Sequence, residues 1–177
     1  MKFFIKIILF IFLFTVLKVN AEYLYILNDR CIKELYQEAQ THVKSNEIEI
    51  HKSSRGIYLR FNLDNPISES IELSTQTVKY LKILEYFLAK IENPAIIEVH
   101  TVKFQKNNSN TLKNWEISTI IANKIEAFLL TFNKNIDANR IKSVGYGEFL
   151  PAKNTPNNGG NSFGRVDIII LCNISGE

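Results

Sequence analysis

The segment Arg165–Leu171 (RVDIIIL) places the tightest constraint on what this chain can fold into. Its end, Ile168–Leu171, is apolar on both faces of any extended strand, which fits an interior strand and not an edge. A chain carrying such a strand must pair it on both sides and cover it. The rest of the sequence supplies the partners. Ile57, Leu59, Phe61 and Leu63 alternate with Tyr58, Arg60 and Asn62, the period of a half-buried strand. Ala95–Val102 and Arg140–Tyr146 are two further strands, and Glu47–His51 (EIEIH) alternates as a short one.

Helices separate these strands. Ile32, Leu35, Tyr36, Ala39 and Val43 recur at three- and four-residue steps and predict a helix over Asp29–Lys44. Val78, Leu81, Leu84, Leu88 and Ile91 form a second stripe, with Ser74 or Thr75 as its cap and Asn93-Pro94 as its stop. A long third helix, about Leu112–Phe132, carries Ile117, Ile120, Ile121, Ile125, Phe128, Leu129 and Phe132 on one broad face. Lys103–Thr111 and Leu150–Gly164 are polar and rich in turn residues, and are expected to be loops. The predicted class is α/β (α+β). It is a two-layer sandwich with a mixed sheet of about four strands in βαβαββ-type order, packed on helices and preceded by an extra N-terminal helix.

The N-terminus has a separate character. Lys2 and Lys6 precede the apolar run Ile7–Leu17, and Val19-Asn20-Ala21 offers a cleavage site before Glu22. That order predicts a secretory signal peptide over 1–21. The alternative is an inner-membrane anchor formed by uncleaved residues 3–17. The domains expected are therefore 1–21 (signal), 22–55 (helix and short strand) and 56–173 (the main domain). Three of the 21 basic residues (Lys2, Lys6 and Lys18) fall in the signal, which leaves 18 against 18 acidic residues. The processed chain is near neutral, so net charge gives no support to nucleic-acid binding. Cys31 and Cys172 could form a disulfide after export or be two small buried hydrophobes. Their spacing fits neither a zinc site nor a CxxC motif.

Several phrases resemble the OmpA-like domain of outer-membrane porins, the Pal lipoprotein and the flagellar stator protein MotB. They are Gly56-Ile57-Tyr58-Leu59-Arg60-Phe61, Ile97-Glu98-Val99-His100-Thr101-Val102, and Asn114-Trp115-Glu116-Ile117-Ser118. Ile136–Ile141 with Val144–Glu148 follows, and then Asn154-Thr155-Pro156 with Arg165–Leu171. They stand in family order over about residues 56–172, in wording closest to MotB. No acidic residue occurs in the first 21, so the proton-carrying part of a stator is absent there.

The resemblance implies an envelope protein, periplasmic or envelope-associated, that binds the peptidoglycan stem peptide, chiefly diaminopimelate. That ligand offers an ammonium and a carboxylate, best held by charge-assisted hydrogen bonds. The family's aspartate and arginine for these two groups are replaced by Val102 and Ile121. Thr101, Asn114 and Arg165 match other family positions near the ligand. Asn114 could equally be a helix N-cap, and Arg165 a surface ion-pair partner. His100 is expected to be structural, and Trp115 an anchor against the sheet. The expected partners are peptidoglycan through a weakened site and other envelope proteins, with a homodimer left open and nucleic acid excluded. The alternative is a scaffold that has lost peptidoglycan and binds protein partners. No nucleophile–base pair, phosphate loop or metal-ligand spacing is legible, so neither enzymatic activity nor a metal or other cofactor is expected.

Overall fold

The computed structural model describes residues 18, 25–64, 71–101, 113–149 and 162–172. The expected signal peptide, apart from Lys18, lies outside them. So do Val102, the loop over Lys103–Thr111 and most of the loop over Leu150–Gly164. Among the described residues no helix is long and apolar enough to cross a membrane.

A first helix, α1, spans residues 25–42. Then follow β1 (Glu49–Ser53), β2 (Gly56–Asp64), α2 (Thr75–Leu88), β3 (Ala95–Thr101), α3 (Asn114–Phe132), a 3-10 turn (Ala138–Arg140), β4 (Ile141–Gly147) and β5 (Ser162–Leu171). The sheet order is β1-β2-β5-β3-β4. The doubly apolar strand β5 is central, paired antiparallel to β2 and to β3. Strands β3 and β4 are parallel and joined by α3. The short strand makes a fifth, outer member through its hairpin with β2, with Ser53 opposite Gly56. The position 55/56, expected as a domain boundary, is therefore the turn of that hairpin.

All three helices contribute to one core. Leu35, Ala39 and Val43 of α1 and its end, Leu81, Leu84 and Leu88 of α2, and Ile121, Ile125 and Leu129 of α3 are buried there. They join Leu59 and Phe61 of β2, Ile97 and Val99 of β3, and Val166, Ile168 and Ile170 of β5. The period-two alternation sends these strand residues to the helical side and Tyr58, Arg60, Glu98, His100, Arg165 and Asp167 to the other. Helix α2 opens on Ser74, whose side chain accepts from the Thr77 N–H at 3.0 Å. The Asn93 amide donates to the Leu171 carbonyl at 3.0 Å, fastening the stop of α2 to the end of β5. Cys31 and Cys172 are joined in a disulfide, with Cα atoms 5.9 Å apart. It ties α1 to the residue that follows β5.

Candidate functional site at the ends of β3 and β4

The carboxyl ends of β3 and β4 meet the start of α3. Close approach there depends on glycine. A Cβ on Gly145 would stand 2.2 Å from the Thr119 nitrogen and 2.6 Å from the Ser118 hydroxyl. Gly147 has φ +56°, in the left-handed region, and a Cβ there would stand 2.9 Å from the Trp115 nitrogen. The Gly147 N–H donates to Ser118 Oγ at 2.9 Å, and that hydroxyl donates to the Trp115 carbonyl at 2.9 Å. Ser118 is fully buried, so this relay replaces water as the partner of a strand end.

The relay brings Asn114 to Glu148. The Asn114 amide donates to Glu148 Oε2 at 2.6 Å, a charge-assisted bond. Asn114 is the first residue of α3 and not its N-cap, which is Lys113. The carboxylate of Glu116 accepts from the Lys113 N–H at 2.6 Å and satisfies that donor. Thr101 ends β3 at the same edge. It is buried, and its hydroxyl has no hydrogen-bond partner among the described residues. Ile121 lies two turns along α3, only 2% exposed and packed in the core. At this position, where the resemblance implied a ligand-holding charge in the family, the side chain is hydrocarbon packed in the core. Trp115 is not the anchor its size suggests. It remains 48% exposed, because α3 approaches the sheet through backbone at Gly147 and through the small Ser118.

Arg165 stands apart from Thr101 and Asn114. It pairs with His100, one residue before Thr101, so its side chain projects from the opposite face of the sheet to that of Thr101. There it belongs to a compact charge cluster. Arg60 grips Asp167 with two bonds, Nε to Oδ1 at 2.6 Å and Nη2 to Oδ2 at 2.9 Å. Arg165 Nε donates to Oδ2 at 2.9 Å. Burial alone would push the Asp167 carboxyl up. The two guanidinium groups outweigh it and hold Asp167 below its ordinary value, while bonding to Asp167 raises Arg60. His100 is buried, stacks on Tyr146 at 5.0 Å between ring centroids, and lies 3.5 Å from Glu98 and 3.8 Å from Asp167.

Glu98, His100 and Asp167 bring three potential ligand atoms within 4.8 Å of one another. A divalent cation there would face two guanidinium groups that already occupy both Asp167 oxygens, so the donor set suits an ion-pair cluster better than a metal. Two features of this region were not singled out in the sequence: the bond to Glu148 and the shared carboxylate of Asp167. Both residues stand in phrases visible in the sequence, Glu148 at the end of Val144–Glu148 and Asp167 within Arg165–Leu171, but the phrases do not tell which partners they meet.

Comparison with known proteins places this architecture. No protein-family model and no curated protein sequence matches the chain. Solved structures do. A MotB-like protein of Desulfovibrio vulgaris superposes with a TM-score of 0.66 at 19% identity, over 86% of this chain and 98% of that one. The cell wall anchor of the T6SS from Pseudomonas aeruginosa gives 0.61 at 15% identity, over 78% and 97%.

The chain has the OmpA/MotB-type fold.

An outer membrane protein of Borrelia burgdorferi shares this OmpA/MotB-type fold with a TM-score of 0.53 at 25% identity, over 71% of this chain and 97% of that one.

Proposed function

We propose that this chain is an exported, non-catalytic envelope protein that associates with peptidoglycan and so tethers or organises the envelope. The observation that carries the reading is the meeting of Thr101, Asn114 and Glu148 where β3 and β4 run into α3. A buried hydroxyl, an amide and a half-buried carboxylate there offer neutral and anionic partners to a zwitterionic stem peptide. The fold supports it, since its neighbours include a cell wall anchor and a MotB-like protein. Arg165, expected from the resemblance to lie near the ligand, is on the opposite face of the sheet and bound to Asp167, so the proposed site is built on Thr101, Asn114 and Glu148 without it.

Affinity is expected to be weak. Hydrogen bonds to charged groups contribute about 1.5–3 kcal/mol each. Replacing two such groups by Val102 and Ile121 corresponds to roughly two to four powers of ten in Kd, at about 1.4 kcal/mol per decade. Co-sedimentation of the protein with purified sacculi at low salt tests the reading. Retention above that of an unrelated control protein is expected, lowered by Asn114→Ala and raised by Val102→Asp with Ile121→Arg.

The burial of Ile121 favours a second reading, in which the pocket is closed and the domain serves as a scaffold for envelope proteins. Under it the wild type is not retained and the double substitution creates binding. If the wild type binds sacculi as tightly as the double variant, the scaffold reading fails.

A further inference from the structure

The Cys31–Cys172 disulfide lies away from the proposed ligand end, at the opposite end of β3 and β5. Its position along α1 divides that helix in two. Beyond it, Ile32, Leu35, Ala39 and, just past the helix, Val43 are buried in the core. Before it, Tyr25 is 73% exposed and Ile26 58% exposed, and among the described residues the Asn28 amide donates to the Ser54 carbonyl at 3.0 Å and Arg30 pairs with Glu34 within the helix at 3.7 Å. The bridge thus sits where the packed stripe gives way to the exposed residues Tyr25 and Ile26. On its other side, Cys172 follows β5, the strand held by antiparallel ladders on both flanks. The Cys172 N–H donates to the Arg55 carbonyl at 2.8 Å, and the Leu171 N–H to the Pro94 carbonyl at 2.8 Å.

We propose that this disulfide is a redox-controlled clamp on α1. Closed, it joins the chain entering at residue 31 covalently to the central strand. A pull from the N-terminal side then loads β5, which two neighbours hold, instead of peeling away α1 and the outer strand β1. The disulfide separates 141 residues of sequence, so nearly the whole folded body lies inside one covalent loop. Open, it leaves α1 held by its short buried stripe. Opening is thiol–disulfide exchange: a dithiol donates two electrons and two protons, the S–S bond becomes two thiols, and the dithiol becomes a disulfide. Closing runs the other way, with a disulfide-bearing compound as the oxidant, which is reduced to its dithiol. The mechanical role rests on the tethering function proposed above; the clamp itself does not.

Limited trypsinolysis of the full chain, before and after reduction with dithiothreitol, tests the clamp. Alkylation of the protein as isolated first counts its thiols. No free thiol is expected, and two free thiols overturn the proposal. Arg30 and Lys33 lie in α1, while Arg60 and Arg140 report on the folded body. Reduction is expected to speed cleavage after Arg30 and Lys33 at least tenfold and leave cleavage after Arg60 and Arg140 unchanged. Equal acceleration at all four sites would show that the bridge staples the whole fold, and no change at Arg30 and Lys33 would show that α1 needs no clamp; either result overturns the proposal. The variant with Cys31→Ser and Cys172→Ser should match the reduced protein. Sacculus retention in both redox states keeps the two proposals separate: absence of retention in either state counts against tethering while the cleavage pattern still decides the clamp.

Discussion

Asp167→Asn removes the anion that two arginines share. The Asp167 side chain is 7% exposed, and those of Arg60 and Arg165 are 19% and 12% exposed. The substitution keeps the shape of the side chain and leaves two largely buried cations facing a neutral amide. Breaking a buried pair by removing one partner costs about 3–5 kcal/mol, chiefly because the remaining charge is uncompensated. For a chain of this size 1 kcal/mol moves Tm by about 2–4 °C, so the expected fall is roughly 6–20 °C. The effect has a pH signature. Asp167 is held below its ordinary value in the folded state, whereas an unfolded aspartate titrates near 3.9. Its contribution is therefore fully present above the unfolded value and is lost as pH falls through the lower, folded one. Thermal unfolding followed by circular dichroism between neutral pH and about pH 3 should show the wild type losing this increment on acidification and the variant lacking it. A loss below about 1 kcal/mol at neutral pH, or an unchanged acid dependence, would refute the reasoning. The companion variant with Arg60→Met, Arg165→Met and Asp167→Leu should recover most of the stability, since well-packed apolar replacement of a buried ion cluster is often neutral.

Further outcomes follow from single contacts. Gly145→Ala should destabilise by at least 1–3 kcal/mol, the usual cost of overpacking, because its Cβ meets the α3 backbone at 2.2 Å; a denaturant midpoint unchanged from wild type would contradict the close approach. Ser74→Ala removes the cap of α2 and should lower stability by about 1 kcal/mol, measured the same way. Arg140 donates to the Leu88 and Asn93 carbonyls at the end of α2; Arg140→Ala should expose that corner and increase hydrogen exchange in the last turn of α2 more than in α3.

Much of this fold is legible in the sequence because the local signals agree. The alternation from Ile57 to Leu63 and the apolar end of β5 give the faces of two strands, and the density of Ile168–Leu171 correctly marks β5 as central. The outer strand was visible as EIEIH, although the observed strand is displaced to Glu49–Ser53. Among the described residues helix α1 covers 25–42 against an expected Asp29–Lys44, and α3 begins at Asn114 rather than Leu112. Ends of elements are set by capping contacts, such as Glu116 with the Lys113 N–H, that periodicity does not contain.

The cluster at Asp167 was hidden for a different reason. Arg60, Glu98 and Asp167 lie far apart in sequence and meet only through cross-strand register, Arg60 and Glu98 each pairing with Asp167. Register also separates Arg165 from Thr101: strand neighbours one residue out of step project to opposite faces. The disulfide likewise needed the distance between Cys31 and Cys172, which the sequence leaves open. Exposure of Trp115 could not be foreseen, because it follows from the small residues that bring α3 down beside it.

The most direct measurement of the central claim is a titration of the isotopically labelled full chain with diaminopimelate, followed by NMR. Saturable shifts are expected at the amides of Thr101, Asn114, Gly147 and Glu148 and at the side-chain amide of Asn114, with the far end of the sheet around Pro94 and Cys172 unmoved. Shifts confined to that far end, or no shifts at the ends of β3 and β4 at saturating ligand, would contradict that claim.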